Sequence, residues 1–274
     1  MPASMHPPPL RVGSVPYLVG RPLDSGLERE PGIEYSRAVP AELVRALRNE
    51  ELDVALVSSI ELFRQPGYRH LDRLAIAGRG RVSSVQVFLK RPIEAVRTLA
   101  FDPASRTSAA LVDALLADRK LETREVALGE DPRALSCDAW LRIGDAALLE
   151  SEEQPRLERY NPSEAYCRAT GLPFVFAAWI VRAGVELSAE HLAAFARARR
   201  RGSELAPALA REKAAELGLS EDFVRAYLLE ECCFELETAE LERSLRTFRD
   251  LVAARQGADA SLAPRAIVWQ DAQP

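Results

Sequence analysis

The sequence predicts a two-lobe α/β fold closed by C-terminal helices. Three observations predict it. Short apolar strands alternate with helical stretches over Leu10–Ser59, the same alternation restarts near Thr98, and two extended segments, Ser83–Lys90 and Phe174–Arg182, join the units. Strands that alternate with helices build parallel sheets covered on both faces. From Ser188 onward the pattern is helical, and two crossings bring these helices back to the first unit. The expected lobes are residues 10–88 with 183–256, and residues 89–182 between them.

In the first unit the strands are Leu10–Val15, Ile33–Val39 and Val54–Val57. A helical stretch with Pro22 near its start separates the first two. Pro40 opens the next helix, where proline's fixed φ suits the first turn, and Leu43, Val44 and Leu47 give it an apolar stripe. In the second unit the strands are Thr98–Asp102, Arg124–Leu128 and Trp140–Ile143, with a helix from about Ser105 to Ala117. Ser188, Ser220 and Thr238 are the expected N-caps of the C-terminal helices, and Leu241, Leu245, Phe248 and Val252 mark one buried face.

Composition narrows the function classes. The 274 residues with 47% hydrophobic content suffice for one large domain or two small ones. A formal charge of −5 leaves no basic footprint, so nucleic acid is not an expected partner. Basic residues are nearly all arginine, the lysines being Lys90, Lys120 and Lys213, and the Arg197–Arg201 cluster reads as a solvated helix face. No apolar run is long enough to span a bilayer, so no membrane is expected either. The first ten residues, rich in proline, lack the basic-then-apolar order of a secretory signal and read as a disordered leader. Cys137, Cys167, Cys232 and Cys233 form no C-x-x-C motif, and the adjacent pair cannot easily bond to each other, so reduced thiols and a cytoplasmic location are expected. Only His6, His70 and His191 are present, scattered along the chain, which argues against a zinc site or a histidine-based triad.

Chemistry concentrates where strands end. Val54–Val57 runs into Ser58 and Ser59. Leu99-Ala100-Phe101-Asp102 runs into Ser105, Arg106, Thr107 and Ser108, and Arg11–Val15 runs into Pro16 and Tyr17. Helix N-termini offer unpaired N–H groups and a partial positive charge, and hydroxyls add donors, so such junctions suit carboxylates. In open α/β sheets ligands bind beyond the carboxyl ends of strands, which points to a small organic acid held between the lobes. Ordinary helix capping is the competing reading for the same serines and threonines.

Several segments, in order, carry a resemblance: Val15-Pro-Tyr-Leu-Val-Gly-Arg-Pro-Leu23, Leu52-Asp-Val-Ala-Leu-Val-Ser-Ser-Ile-Glu61, Val82-Ser-Ser-Val-Gln-Val-Phe88, Ser105-Arg-Thr-Ser108, Ile143-Gly-Asp-Ala-Ala-Leu148 and Thr170-Gly-Leu-Pro-Phe-Val-Phe-Ala-Ala-Trp179. Together they resemble the chorismate dehydratase family of the futalosine route to menaquinone, from about Arg11 to Val252. The resemblance implies a periplasmic-binding-protein-like (type II) fold with two crossover strands. It also implies a cofactor-independent lyase that converts chorismate to 3-[(1-carboxyvinyl)oxy]benzoate and water. The reaction must hold two carboxylates, take the ring C3 proton and release the C4 hydroxyl, and the substrate's own enolpyruvyl carboxylate could serve as base.

Two departures stand out. The family motif reads Tyr-Leu-Asn where this chain has Val19, and the family favours Asp-Leu-Gly and a later Trp where this chain has Tyr160-Asn-Pro-Ser-Glu-Ala-Tyr166. Under the resemblance, the expected substrate contacts are Tyr17, Val19, Ser58, Ser59, Ser83, Ser84, Ser105, Arg106, Thr107, Ser108 and Asp145. Arg106 could clamp a carboxylate or face solvent. Asp145 could order the pocket or cap a helix, Tyr17 could use its hydroxyl on ligand or backbone, and Phe174, Phe176 and Trp179 read as hinge and core packing, although a ring from this segment could cover the substrate. No metal and no cofactor is expected. A non-catalytic binding protein for an aromatic or carboxylate metabolite is the alternative, since one scaffold can serve both.

Overall fold

The computed structural model describes residues 8–102, 106–127, 130–256 and 265–267. Most of the expected leader, Ser105 and the end of the expected strand Arg124–Leu128 lie outside the described residues.

Two sheets form. In the first, β1 (Leu10–Ser14) lies parallel to both β2 (Ile33–Arg37) and β3 (Val54–Ser58). The chain then builds β4 (Arg69–Gly78), and its partners β10 (Phe174–Val181), β11 (Cys232–Glu235) and β12 (Arg265–Ile267) arrive much later. The order is β11-β4-β10-β3-β1-β2, with β12 also on β4. The second sheet has the order β7-β6-β8-β5-β9, from β5 (Val85–Leu89), β6 (Thr98–Phe101), β7 (Glu122–Glu125), β8 (Ala139–Ile143) and β9 (Glu158–Tyr160).

The expected crossover strands are resolved differently from the sequence reading. Val85–Leu89 is antiparallel to both β8 and β9, so it belongs wholly to the second sheet. Phe174–Val181 is antiparallel to β3 and β4, so it belongs wholly to the first. Between the two sheets the chain passes through residues 79–84 and 161–173. A strand hydrogen-bonded along both edges cannot also act as the joint.

Among the described residues eight helices cover the sheets: α1 (Arg21–Asp24), α2 (Pro40–Arg48), α3 (Arg106–Leu115), α4 (Gly144–Glu153), α5 (Pro162–Thr170), α6 (Ala189–Leu217), α7 (Glu221–Ala226) and α8 (Thr238–Gln256). Leu43, Val44 and Leu47 of α2 are buried, as are Leu241, Leu245, Phe248 and Val252 of α8. Phe248 meets Phe63 and Phe174 edge-on, at ring-centroid distances of 5.8 and 5.0 Å. Truncating such a side chain to alanine costs about 3–5 kcal/mol, because the cavity adds to the lost transfer energy. Ser188 caps α6 by accepting from the His191 N–H at 3.1 Å. The other two expected caps do not form: Ser220 makes no side-chain cap bond, and Thr238 donates its hydroxyl to Asp72 at 2.7 Å. The arginine cluster is not simply solvated either. Arg197 and Arg201 both reach the buried carboxylate of Glu30, and Arg199 lies 5.7 Å from the Phe234 ring centroid.

Candidate functional site

The carboxyl ends of four strands, two from each sheet, converge on one cavity of about 320 Å³. From the first sheet, β1 leads into Val15, Tyr17 and Val19, and β3 ends at Ser58. From the second, β6 leads to Asp102 and the start of α3, and β8 ends at Ile143, from which Gly144 and Asp145 open α4. Phe176, on β10, contributes an apolar wall, its ring edge-on to the buried Phe174 at 4.9 Å. Trp179 lies further along β10, fully buried against Phe195.

Eight of the eleven expected contacts line this cavity: Tyr17, Val19, Ser58, Ser84, Arg106, Thr107, Ser108 and Asp145. Ser59 does not. It is fully buried and donates its hydroxyl to the carbonyl of Val175 at 2.7 Å, tying the turn after β3 to β10. Ser83 does not either; its N–H and hydroxyl both donate to Glu231, at 2.6 and 2.8 Å. Ser105 lies outside the described residues. The turn after β3, expected to be a helix, is a 3-10 segment, Ser59–Phe63.

Thr107 and Ser108 sit in the first turn of α3, where N–H groups have no intrahelical acceptor. Thr107 also joins the two sheets' elements, since its hydroxyl oxygen accepts from the N–H of Ile60 at 3.4 Å. Arg106 is exposed on the cavity rim and is the one guanidinium among the described lining residues. At the opposite helix end, Gly144 has φ +63°, a conformation open to glycine and strained for other residues. That turn lets its N–H donate to the carbonyl of Ser84 at 2.8 Å and swings Asp145 to the cavity wall.

Asp145 does not cap α4; the N-cap position is Ile143, with no side-chain bond. Its carboxylate instead pairs with Lys213 of α6 at 2.7 Å. Burial alone would lower the Lys213 ammonium, but its bonds to Asp145 and Glu216 outweigh this and hold it above the usual lysine range. Tyr17 is held above the usual tyrosine range, first by burial and then by the carboxylates of Asp102 and Asp145, so its phenol keeps its proton and remains a donor. Cys232, at the back wall, is also pushed up by burial and is a thiol rather than a thiolate.

Sequence reasoning missed Asp102, Cys232 and Lys213. Asp102 was visible as the polar end of an apolar strand, the position from which open sheets present side chains to ligands. Cys232 comes to the cavity, and Lys213 to Asp145 on its wall, from far along the chain, and neither carried a local signal. Among the described residues no cluster of three or more His, Cys, Asp or Glu side chains is placed to hold a metal ion, and no helix is long and apolar enough to cross a membrane.

A family model described as menaquinone biosynthesis matches residues 10–254. A chorismate dehydratase from Thermus thermophilus is 33% identical over 240 residues, covering 78% of this chain and 87% of that protein. A chorismate dehydratase from Campylobacter jejuni is 34% identical over 161 residues, covering 59% of this chain and 58% of that one. Among solved structures, an Archaeoglobus fulgidus protein superposes with a TM-score of 0.71 at 18% identity, covering 90% of this chain and 97% of its own. The periplasmic aliphatic sulphonate binding protein of Escherichia coli gives 0.61 at 17% identity, covering 97% and 99%. The fold is therefore periplasmic-binding-protein-like, as the sequence implied.

Proposed function

The chain belongs to the menaquinone-biosynthesis family, and from that premise we propose that it is a chorismate dehydratase, a lyase that converts chorismate to 3-[(1-carboxyvinyl)oxy]benzoate and water. The observation that carries this reading is the meeting of Arg106, Thr107 and Ser108 with Ser58 and Ser84 in one cavity. Donors arranged on two sides of an apolar chamber suit a small ring bearing two carboxylates.

The chemistry needs little beyond binding. The ring C3–H bond breaks, its electron pair becomes the new C3–C4 double bond, and the C4–O bond breaks to release hydroxide, which takes up a proton to leave as water. The ring becomes aromatic, so the step runs strongly downhill and no cofactor need supply driving force. The first turn of α3, with Arg106, holds one carboxylate by N–H groups and a guanidinium. The Ser58 and Ser84 hydroxyls hold the other side of the molecule. The protonated Tyr17 phenol donates toward the departing hydroxyl. The enolpyruvyl carboxylate of the substrate takes the C3 proton, an intramolecular transfer that gains from proximity. The work is done in the cytoplasm, where chorismate is made and thiols stay reduced.

The test is direct. Purified protein mixed with chorismate should consume it, with the carboxyvinyloxy-benzoate as product by mass. A chorismate analogue whose enolpyruvyl carboxylate is an amide should bind without turnover. Tight chorismate binding with no product above the spontaneous rate would replace the lyase with a binding protein.

A further inference from the structure

We infer that Glu231 is a positioning residue for this reaction, holding Ser84 in the cavity wall through its bonds to Ser83; the inference rests on the lyase reading above.

The geometry begins with a rare element. After α7, residues Tyr227–Glu231 form a π-helical turn that delivers the chain into β11. Such wide turns recur at functional sites because the extra residue re-aims the side chains around it. Here the turn's two ends reach neighbouring serines. Glu231 accepts both donors of Ser83, the N–H at 2.6 Å and the hydroxyl at 2.8 Å. Tyr227, buried at the other end, interacts with the Ser84 hydroxyl.

Ser83 and Ser84 end the first link between the sheets, so the turn acts on the joint itself. The link is fixed on its other side by Asn161, whose amide donates to the carbonyls of Val82 at 3.0 Å and Val85 at 3.1 Å. Ser84 passes the constraint on, because its carbonyl accepts the Gly144 N–H that starts α4 and sets Asp145 on the cavity wall. Ser83 faces away from the cavity and Ser84 lines it. A carboxylate that takes both Ser83 donors therefore fixes which way the next residue points. Glu231 is not itself a lining residue, though its neighbour Cys232 is, and the influence inferred here runs through the Ser83–Ser84 peptide.

The test uses the full chain. Glu231→Gln turns one acceptor oxygen into a donor facing a donor, and the loss of charge-assisted bonds predicts a ~10- to 100-fold rise in KM for chorismate with kcat little changed. A merely structural role would instead lower the folded fraction, reducing apparent kcat and leaving KM alone. In a Ser84→Ala background the same substitution should add little, since its route of action has been removed. An unchanged KM, or an undiminished rise in the Ser84→Ala background, overturns the inference. Should Glu231→Gln not fold, Ser83→Ala removes one of the two bonds from the other partner and must raise KM in the same non-additive way. If the wild-type protein does not turn chorismate over, the lyase reading alone fails. Amide exchange over residues 79–89 then decides the clamp: faster exchange in Glu231→Gln supports it, and wild-type protection overturns it.

Discussion

The Lys213 ammonium lies 2.7 Å from the Asp145 carboxylate, tying α6, whose Phe195 meets Trp179 of the first sheet, to the first turn of α4 beside the second. Both side chains are largely buried, at 13% and 27% exposed, and Asp145 lines the cavity. The pair does two things: it holds the lobes together at the cavity rim, and it neutralises a carboxylate that an anionic substrate would otherwise meet.

Lys213→Met should therefore raise the KM for chorismate roughly 5-fold, the scale of a partly exposed ion pair of about 1 kcal/mol. Asp145 left unpaired repels a dianion, and salt screens that repulsion, so the penalty should shrink between low and high ionic strength. Initial rates at two salt concentrations measure both effects. A KM that ignores the substitution at low salt would show that Asp145 does not feel the substrate.

Arg106→Leu tests the other pole of the cavity. If the guanidinium grips a carboxylate, KM should rise ~10- to 100-fold, the range for losing hydrogen bonds to a charged group. Arg106→Lys restores the charge but not the two-pronged geometry and should recover only part of the loss. Ser108→Ala, which removes a neutral hydroxyl, should cost less than Arg106→Leu. Rates within a factor of about two of wild type for Arg106→Leu would assign the arginine to solvent.

Much of the scaffold was legible because local pattern and tertiary role agree there. The strands near Leu10, Ile33, Val54, Thr98 and Trp140 each form within a residue or two of their expected bounds; the central Val54–Ser58 is a nearly continuous apolar run, as a parallel strand buried on both faces must be, while the edge strand Ile33–Arg37 alternates apolar and polar residues. The long strand β4 was not legible. It carries Arg69, His70, Asp72 and Arg73, and three of these side chains find partners far along the chain: Thr238 for Asp72, Glu235 for Arg73 and Val185 for Arg69. The cavity residues at strand ends were legible for the same reason as the strands. Ser59 and Ser83 were misplaced because the chain turns at each serine pair, into a 3-10 segment after Ser58 and into β5 after Ser84, and sequence alone does not say which of two serines faces the ligand.

His70 predicts an acid sensitivity that starts earlier than carboxylate titration. The ring is fully buried in β4, its Nδ1 lies 3.0 Å from the Leu71 carbonyl, and burial holds its pKa below the ordinary 6.5, against smaller opposing effects of that bond, Asp72 and Glu242. Because the folded value is depressed, the unfolded chain takes up the proton first as pH falls. Stability is thus present above 6.5 and declines below it, by up to about 1.4 kcal/mol per pH unit. Urea unfolding between pH 7.5 and 5 should show this slope, and His70→Leu should flatten it. Glu30, bonded to Arg197 and Arg201, is lowered too, and its contribution is lost only at more acid pH, through its folded value below 4.5. A wild-type curve level to pH 5 would refute the assignment to His70.

Val19 tests whether the chain's departure from its family weakens its chemistry. The side chain is half-buried on the cavity wall, beside Tyr17 and across from the start of α3, at the position where the resemblance expects an asparagine. Valine offers no hydrogen bond to charge that develops as the C4–O bond breaks. A well-placed amide in such a site is worth ~100- to 1,000-fold in rate when it contacts the transition state, and the gain appears in kcat rather than KM. Val19→Asn should therefore raise kcat with chorismate by ~10-fold or more, short of the full range because the surrounding wall has packed around a branched apolar side chain. A fall in kcat with KM unchanged would mean that the amide finds no partner there. The natural site would then have shifted its polar contacts to Tyr17 and the serines, and Tyr17→Phe should be the more damaging change.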